Sequence, residues 1–148
     1  MPETNCERTV VIIAEDDPDD RLMIREALHD ACPNAQVHFV IDGAEMLDYL
    51  YHRGKYATGK NVPPPELVLL DLNMPKKSGM EVLEEIKKDA GLRSIPVVVL
   101  TTSHSPDHIA RSYELGGNGY ITKPETYGEL VEIMRNLNRY WFQTVRLP

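Results

Sequence analysis

Five short apolar runs punctuate the chain, at residues 10–14, 37–41, 67–70, 97–100 and 120–121. Their length, their β-branched content and the turn formers around them predict buried strands. The segments between them carry helical spacing. Leu22, Met23, Ala27 and Ala31 predict one amphipathic stripe, and Val82, Leu83 and Ile86 another. Leu130, Ile133, Met134, Leu137 and Trp141 predict a long last helix. Strand alternating with helix makes βαβ units, so an α/β domain with a parallel sheet and helices on both faces is expected. No repeat and no linker divides the chain. A single domain over 1–148 follows, with its core at about 9–138.

Two segments stand outside the alternation. Residues 53–65 (RGKYATGKNVPPP) form a long polar loop whose three closing prolines forbid a helix there. Loops of that length are uncommon and often contact something. The other is an aromatic arm at 139–148, with Tyr140, Trp141 and Phe142 in succession. Successive helical residues turn by about 100°, so at least one of the three rings is expected to project outward.

Composition narrows the function. The 148 residues carry 23 acids against 16 Lys and Arg, a formal charge of -7. That balance argues against gripping a phosphate backbone, which needs clustered cations, but not against holding a cation. Cys6 and Cys32 are too few for a CxxC site or a disulfide scaffold. The first ten residues have no apolar stretch of signal-peptide kind, and no run approaches the roughly 18 residues of a membrane span. A cytoplasmic protein without membrane contact is expected.

Parallel α/β sheets take their ligands beyond the carboxyl ends of the strands. Glu15, Asp16 and Asp17 follow the first strand, Asp71 the third, Thr101 and Thr102 the fourth, and Lys123 the fifth. Asp17 suits a helix N-cap, Pro18 the first helical position, and Asp19 and Asp20 the positive end of the helix dipole. Those roles leave Glu15, Asp16 and Asp71 unexplained. Two carboxylates about 4 Å apart repel by roughly 4 kcal/mol at an effective dielectric of 20, so a third calls for a cation. Hard oxygen ligands in an incomplete shell suit Mg²⁺. Asp71 is the reactive candidate, because a carboxylate can attack phosphorus to give an acyl phosphate. Mg²⁺, Lys123 and the Thr101 hydroxyl would each take a phosphoryl oxygen.

Glu15-Asp16, Asp71 in LLDLNMP, Thr101, and Lys123-Pro124 in GYITKP resemble, in order, the receiver domain of two-component response regulators. The resemblance runs from about Thr9 to Leu137. It implies the flavodoxin-like strand order 2-1-3-4-5, phosphoryl transfer from a histidine kinase onto Asp71, and an Mg²⁺ site formed by Glu15, Asp16, Asp71 and the Asn73 carbonyl. It also implies phosphoryl contacts from Lys123 and Thr101, and a switch in which Thr101 and Tyr120 reshape the face of the fourth helix, fifth strand and fifth helix. Lys77, where an apolar residue is usual, implies a more solvated loop. Gly117, where Ala is more typical, implies added flexibility, and Asn73 and Ser103 are positions expected to tune phosphoryl lifetime. The loop before the third strand and the ending YWFQTVRLP are similar to single-domain regulators that serve phytochrome-type histidine kinases, many of them homodimers. Output is then expected through protein contact, with no DNA-binding domain.

Competing readings have weaker support in the residues. Gly54 to Asn61 nearly spells a P-loop, but Asn61 replaces the Ser or Thr and prolines follow in place of a helix. His104 and His108 lack further zinc ligands and read as solvated helix residues. An aspartate-nucleophile phosphatase of haloacid-dehalogenase type would carry an acid where Asn73 stands, and Asn cannot protonate a leaving group. A phosphorylation-independent dimeric adaptor leaves the acceptor set without a purpose. A phosphoacceptor signalling protein, not an enzyme, is the expectation.

Overall fold

A computed structural model describes residues 9–60 and 62–148, which leaves Cys6 and Asn61 outside the described residues. The elements are β1 (Val10–Ala14), α1 (Pro18–Ala31), β2 (Gln36–Val40), α2 (Gly43–Tyr51), β3 (Leu67–Leu70), α3 (Gly79–Lys88), β4 (Val97–Thr101), α4 (Pro106–Glu114), β5 (Gly119–Thr122) and α5 (Tyr127–Leu137). All strand pairs are parallel, in the order β2-β1-β3-β4-β5. This is the flavodoxin-like sheet expected from the resemblance.

Local sequence fixes where each helix starts. Asp17, Asp42, Ser78, Ser105 and Thr126 are N-caps whose side chains accept backbone N–H groups of the first turn. Each such cap contributes typically about 1 kcal/mol. Period-two alternation along the strands then sorts side chains to the two faces. Val10, Ile12 and Ala14 pack with Val68 and Leu70 beneath α2 and α3. Val11 and Ile13 pack with Leu67, Leu69, Val98 and Leu100 beneath α1 and α5.

The stripe on α1 differs from the expected one. Ile24, Ala27 and Leu28 are buried, whereas Leu22 and Met23 are 52% and 41% exposed. A helix of this length buries a single stripe, and α1 turns the Ile24 phase toward the α5-side core. Ile41 likewise falls just past β2 and is exposed. The last helix is α-helical only to Leu137, after which Asn138–Thr144 widens into a π-helical turn. Trp141 and Phe142 pack against the α1–α5 core, while Tyr140 projects, as expected for one of the three rings.

The long loop contacts its own fold. It contains a 3-10 turn at Gly54–Tyr56, from which the Tyr56 hydroxyl donates to Glu45 at 2.6 Å. Tyr49 donates to the Pro63 carbonyl at 2.9 Å, and Val62 is buried. Among the described residues, no helix is long and apolar enough to cross a membrane.

Candidate functional site

Because the strands run parallel, the residues that follow β1, β3, β4 and β5 meet on one edge of the sheet. Glu15, Asp16 and Asp71 each place a carboxylate oxygen within 4.8 Å of the others. Backbone bonds extend the ladder one residue past the strands and fix these positions. Glu15 N–H donates to the Val40 carbonyl at 3.0 Å, and Asp71 N–H to that of Ala14 at 3.2 Å. Glu15 and Asp71 are only 2% and 5% exposed, while Asp16 faces solvent. Within the group, burial is the main cause that pushes the Glu15 carboxyl up to about 7, with Lys123 opposing it and Asp71 adding to it.

Lys123 spans the cluster from β5. Its Nζ lies 2.5 Å from Glu15, 2.8 Å from Asp20 and 3.2 Å from Asp71. Burial pulls its pKa down, but the bonds to Asp20 and Glu15 outweigh that and hold it above the ordinary lysine range. Arg21 Nη1 donates to the carbonyls of Glu15 and Asp16, both at 3.0 Å, and so steers the β1–α1 turn. One ammonium cannot offset four carboxylates, so the hard-oxygen group fits a divalent cation.

The remaining expected residues fall around this cluster. Asn73 is exposed, and its N–H donates to Asp71 Oδ1 at 3.2 Å. Gly79 lies so close to the Asp71 carbonyl that a Cβ there would stand 2.2 Å from it, which explains the glycine at the start of α3. Thr101 ends β4 fully buried, and among the described residues its Oγ1 has no hydrogen-bond partner. A buried hydroxyl without a partner is costly. Tyr120, half-buried on β5, donates its hydroxyl to the Ser103 carbonyl at 2.8 Å.

Some local expectations change. Lys77 is half-buried and pairs with Glu85 at 3.0 Å, so the loop is fastened to α3 more than solvated. A Cβ on Gly117 would stand 2.8 Å from the Ser112 carbonyl; the glycine permits a close approach and does not simply loosen the chain. His104 precedes α4, and His108 is an exposed residue of that helix, as expected, with its Nδ1 2.7 Å from Ser103 Oγ. Among the described residues, the metal-capable cluster is Glu15, Asp16 and Asp71 alone.

Asp20 and Arg21 were not legible as site residues. Asp20 looked like a dipole-complementing acid, yet it lies one helical turn beyond Asp16 and so returns to the same end of the sheet. Arg21 acts on main-chain carbonyls, for which spacing alone offers no signal.

Residues 11–135 match the response regulator receiver domain family. Response regulator Rcp1 from Synechocystis sp. is 40% identical over 139 residues, covering 94% of this chain and 92% of Rcp1. The crystal structure of the Mn²⁺-bound form of Rcp1 covers 95% of this chain and 99% of its own at a TM-score of 0.85. The phosphorylated cyanobacterial phytochrome response regulator RcpA is 43% identical, with the same coverage and a TM-score of 0.88.

Proposed function

The chain belongs to the response regulator receiver domain family, a family of two-component phosphorelay signalling domains, and from that premise we propose Asp71 as its phosphoacceptor. The observation that carries this reading is the position of Asp71: buried, within 4.8 Å of Glu15 and Asp16, and 3.2 Å from Lys123. An Asp71 carboxylate oxygen attacks the phosphorus of a kinase phosphohistidine. The new O–P bond forms as the N–P bond breaks, and the imidazole leaves with its electron pair. Lys123 and the Thr101 hydroxyl take charge on the equatorial phosphoryl oxygens. The Thr101 hydroxyl has no partner among the described residues, which leaves it available for that contact, and Tyr120 follows as the switch aromatic.

A divalent cation fits the carboxylate cluster, and we take it to be Mg²⁺, held by Glu15, Asp16, Asp71 and the Asn73 carbonyl. When bound it neutralises charge between acceptor and incoming phosphoryl group. The donor is a histidine kinase. The likeness to Rcp1 and RcpA favours one of phytochrome type, and the aromatic arm favours a homodimer. The chain is a single receiver domain over 1–148 that signals through protein contact in the cytoplasm, does not act on nucleic acid, and turns over no substrate of its own. Asn73, where a phosphatase of haloacid-dehalogenase type needs an acid, supports the last point.

Incubation with Mg²⁺ and acetyl phosphate followed by intact-mass measurement tests the acceptor. One phosphoryl adduct is expected in the native protein, and none in Asp71→Asn or with EDTA. Equal labelling of Asp71→Asn overturns the assignment, and sustained release from p-nitrophenyl phosphate would favour a phosphatase.

A further inference from the structure

We propose that His108 is a positioning residue for this switch: its imidazole fixes Ser103, and through Ser103 it ties the first turn of α4 to Tyr120. The proposal rests on Asp71 being the acceptor and Tyr120 the switch aromatic, and it adds the element that connects them to α4. Ser103 lies in the short loop between Thr101 and α4. Its Oγ lies 2.7 Å from His108 Nδ1 and accepts the Ser105 N–H at 3.3 Å. The hydroxyl can accept the Ser105 N–H and still either donate to Nδ1 or accept from it, according to the imidazole tautomer. The carbonyl of the same residue accepts the Tyr120 hydroxyl at 2.8 Å. One serine therefore joins α4 by its side chain and β5 by its main chain.

Helix capping does not account for the contact. The N-cap is Ser105, which already accepts the His108 N–H. Nor is α4 held by apolar packing in the manner of its neighbours. Of its nine residues only Ser112 is buried, and the Ser112 hydroxyl bonds within the helix to the Ile109 carbonyl. A helix without a buried apolar stripe keeps its place through polar contacts, and such segments open at low cost. There is also room for movement. A cleft of about 680 Å³ lies between α4 and the loop after β3, lined by Asn73, Ser78, Asp107, His108 and Arg111 among others. Loss of the imidazole would release α4 toward that cleft and leave the Ser103 side chain free to reorient.

The test uses the full chain with Mg²⁺ and acetyl phosphate, and follows decay of the Asp71 adduct after the donor is removed. His108→Ala is expected to change the adduct lifetime by about fivefold, the equivalent of one hydrogen bond of about 1 kcal/mol. Ser103→Ala should shift it in the same direction, and the double variant should add nothing further. His108→Asn, which restores a polar atom near Nδ1, should recover most of the native lifetime. The switch itself is read by fluorine NMR of 3-fluorotyrosine protein, with the Tyr120 signal assigned through Tyr120→Phe. The beryllofluoride-induced shift of that signal should shrink in His108→Ala and return in His108→Asn. A native lifetime and a native Tyr120 shift in His108→Ala overturn the proposal, as do additive effects of the two alanine variants. Absence of any adduct in the native protein would instead overturn the acceptor assignment on which the proposal rests.

Discussion

The two open edges of the sheet are built in opposite ways. At the β2 edge, α2 buries Met46, Leu47 and Tyr49, and the loop behind it is cemented by rings. Tyr49 and Tyr56 meet edge to face at 5.1 Å, and the Tyr56 hydroxyl donates to the Glu45 carboxylate, which also holds Lys55 at 2.8 Å. At the β5 edge, α4 buries one serine, and the strand beneath it is half-buried at best. Its fastenings are single hydrogen bonds, one between Ser103 and His108, one from Tyr120 to Ser103 and one from Gly117 to Ser112. Apolar burial is lost all at once when a helix moves, whereas a hydrogen bond can be exchanged for another of similar worth. On the proposed function, a change of shape near Asp71 would therefore fall at the edge held by exchangeable bonds. The cemented edge would keep the sheet still.

The largest effect is expected where the cement is removed. Tyr56→Ala deletes the ring contact and leaves the Glu45 carboxylate without its shortest hydrogen-bond donor, so it should destabilise the protein by about 2–4 kcal/mol in urea unfolding. Tyr56→Phe keeps the ring and should lose about 1–2 kcal/mol, the share of a charge-assisted hydrogen bond. Adduct formation at Asp71 should survive both. A loss in Tyr56→Ala no larger than that of an exposed residue on α4 would place the two edges on the same footing.

An intermediate effect belongs to the site between the edges. Burial raises the Glu15 carboxyl from its ordinary value of 4.5 to about 7. Between those values the folded chain holds a proton that the unfolded chain has released, so this group's contribution to stability falls as pH rises through the window. A bound cation would take the place of that proton. Mg²⁺ at about 100 times its dissociation constant should stabilise by about 2.7 kcal/mol above the window, and by distinctly less below it, where it must first displace the proton. Thermal unfolding with and without Mg²⁺ on both sides of the window checks this. Glu15→Gln should flatten the difference, and an equal Mg²⁺ shift at both pH values would show that Glu15 is not part of the cation site.

The contrast between the edges also explains what the sequence disclosed. Strands and caps were legible because they depend on local chemistry: a run such as Leu67-Val68-Leu69-Leu70 can hardly be anything but a buried strand, and Asp17-Pro18 announces a helix start. The acidic cluster was legible because a parallel sheet sends every strand end to one edge. The phase of α1 was not, since Leu22 and Met23 satisfy helical spacing as well as Ile24 and Leu28 do, and packing against the α5 side makes the choice. Asp20 and His108 were not legible either. Each acts through one side-chain contact with a residue far along the chain or across a turn, and such contacts have no period.

The smallest effect is expected on α4. Tyr113 is 52% exposed and has no buried apolar residue beside it on its own helix. Tyr113→Ala should change global stability by no more than about 0.5 kcal/mol, the usual range for a surface position, although it deletes a ring of the same kind as Tyr56. Native-state hydrogen exchange turns this near-absence of effect into a measurement. Amides of α4 should open locally, at a free energy below that of α2, whose amides should exchange only with the α2–α3 side of the core. Tyr113→Ala should leave that ordering in place, whereas Tyr56→Ala should pull the α2 amides down toward those of α4. If Tyr113→Ala instead lowered global stability as Tyr56→Ala does, α4 would have an apolar anchor after all, and its freedom to move could not be traced to exchangeable bonds.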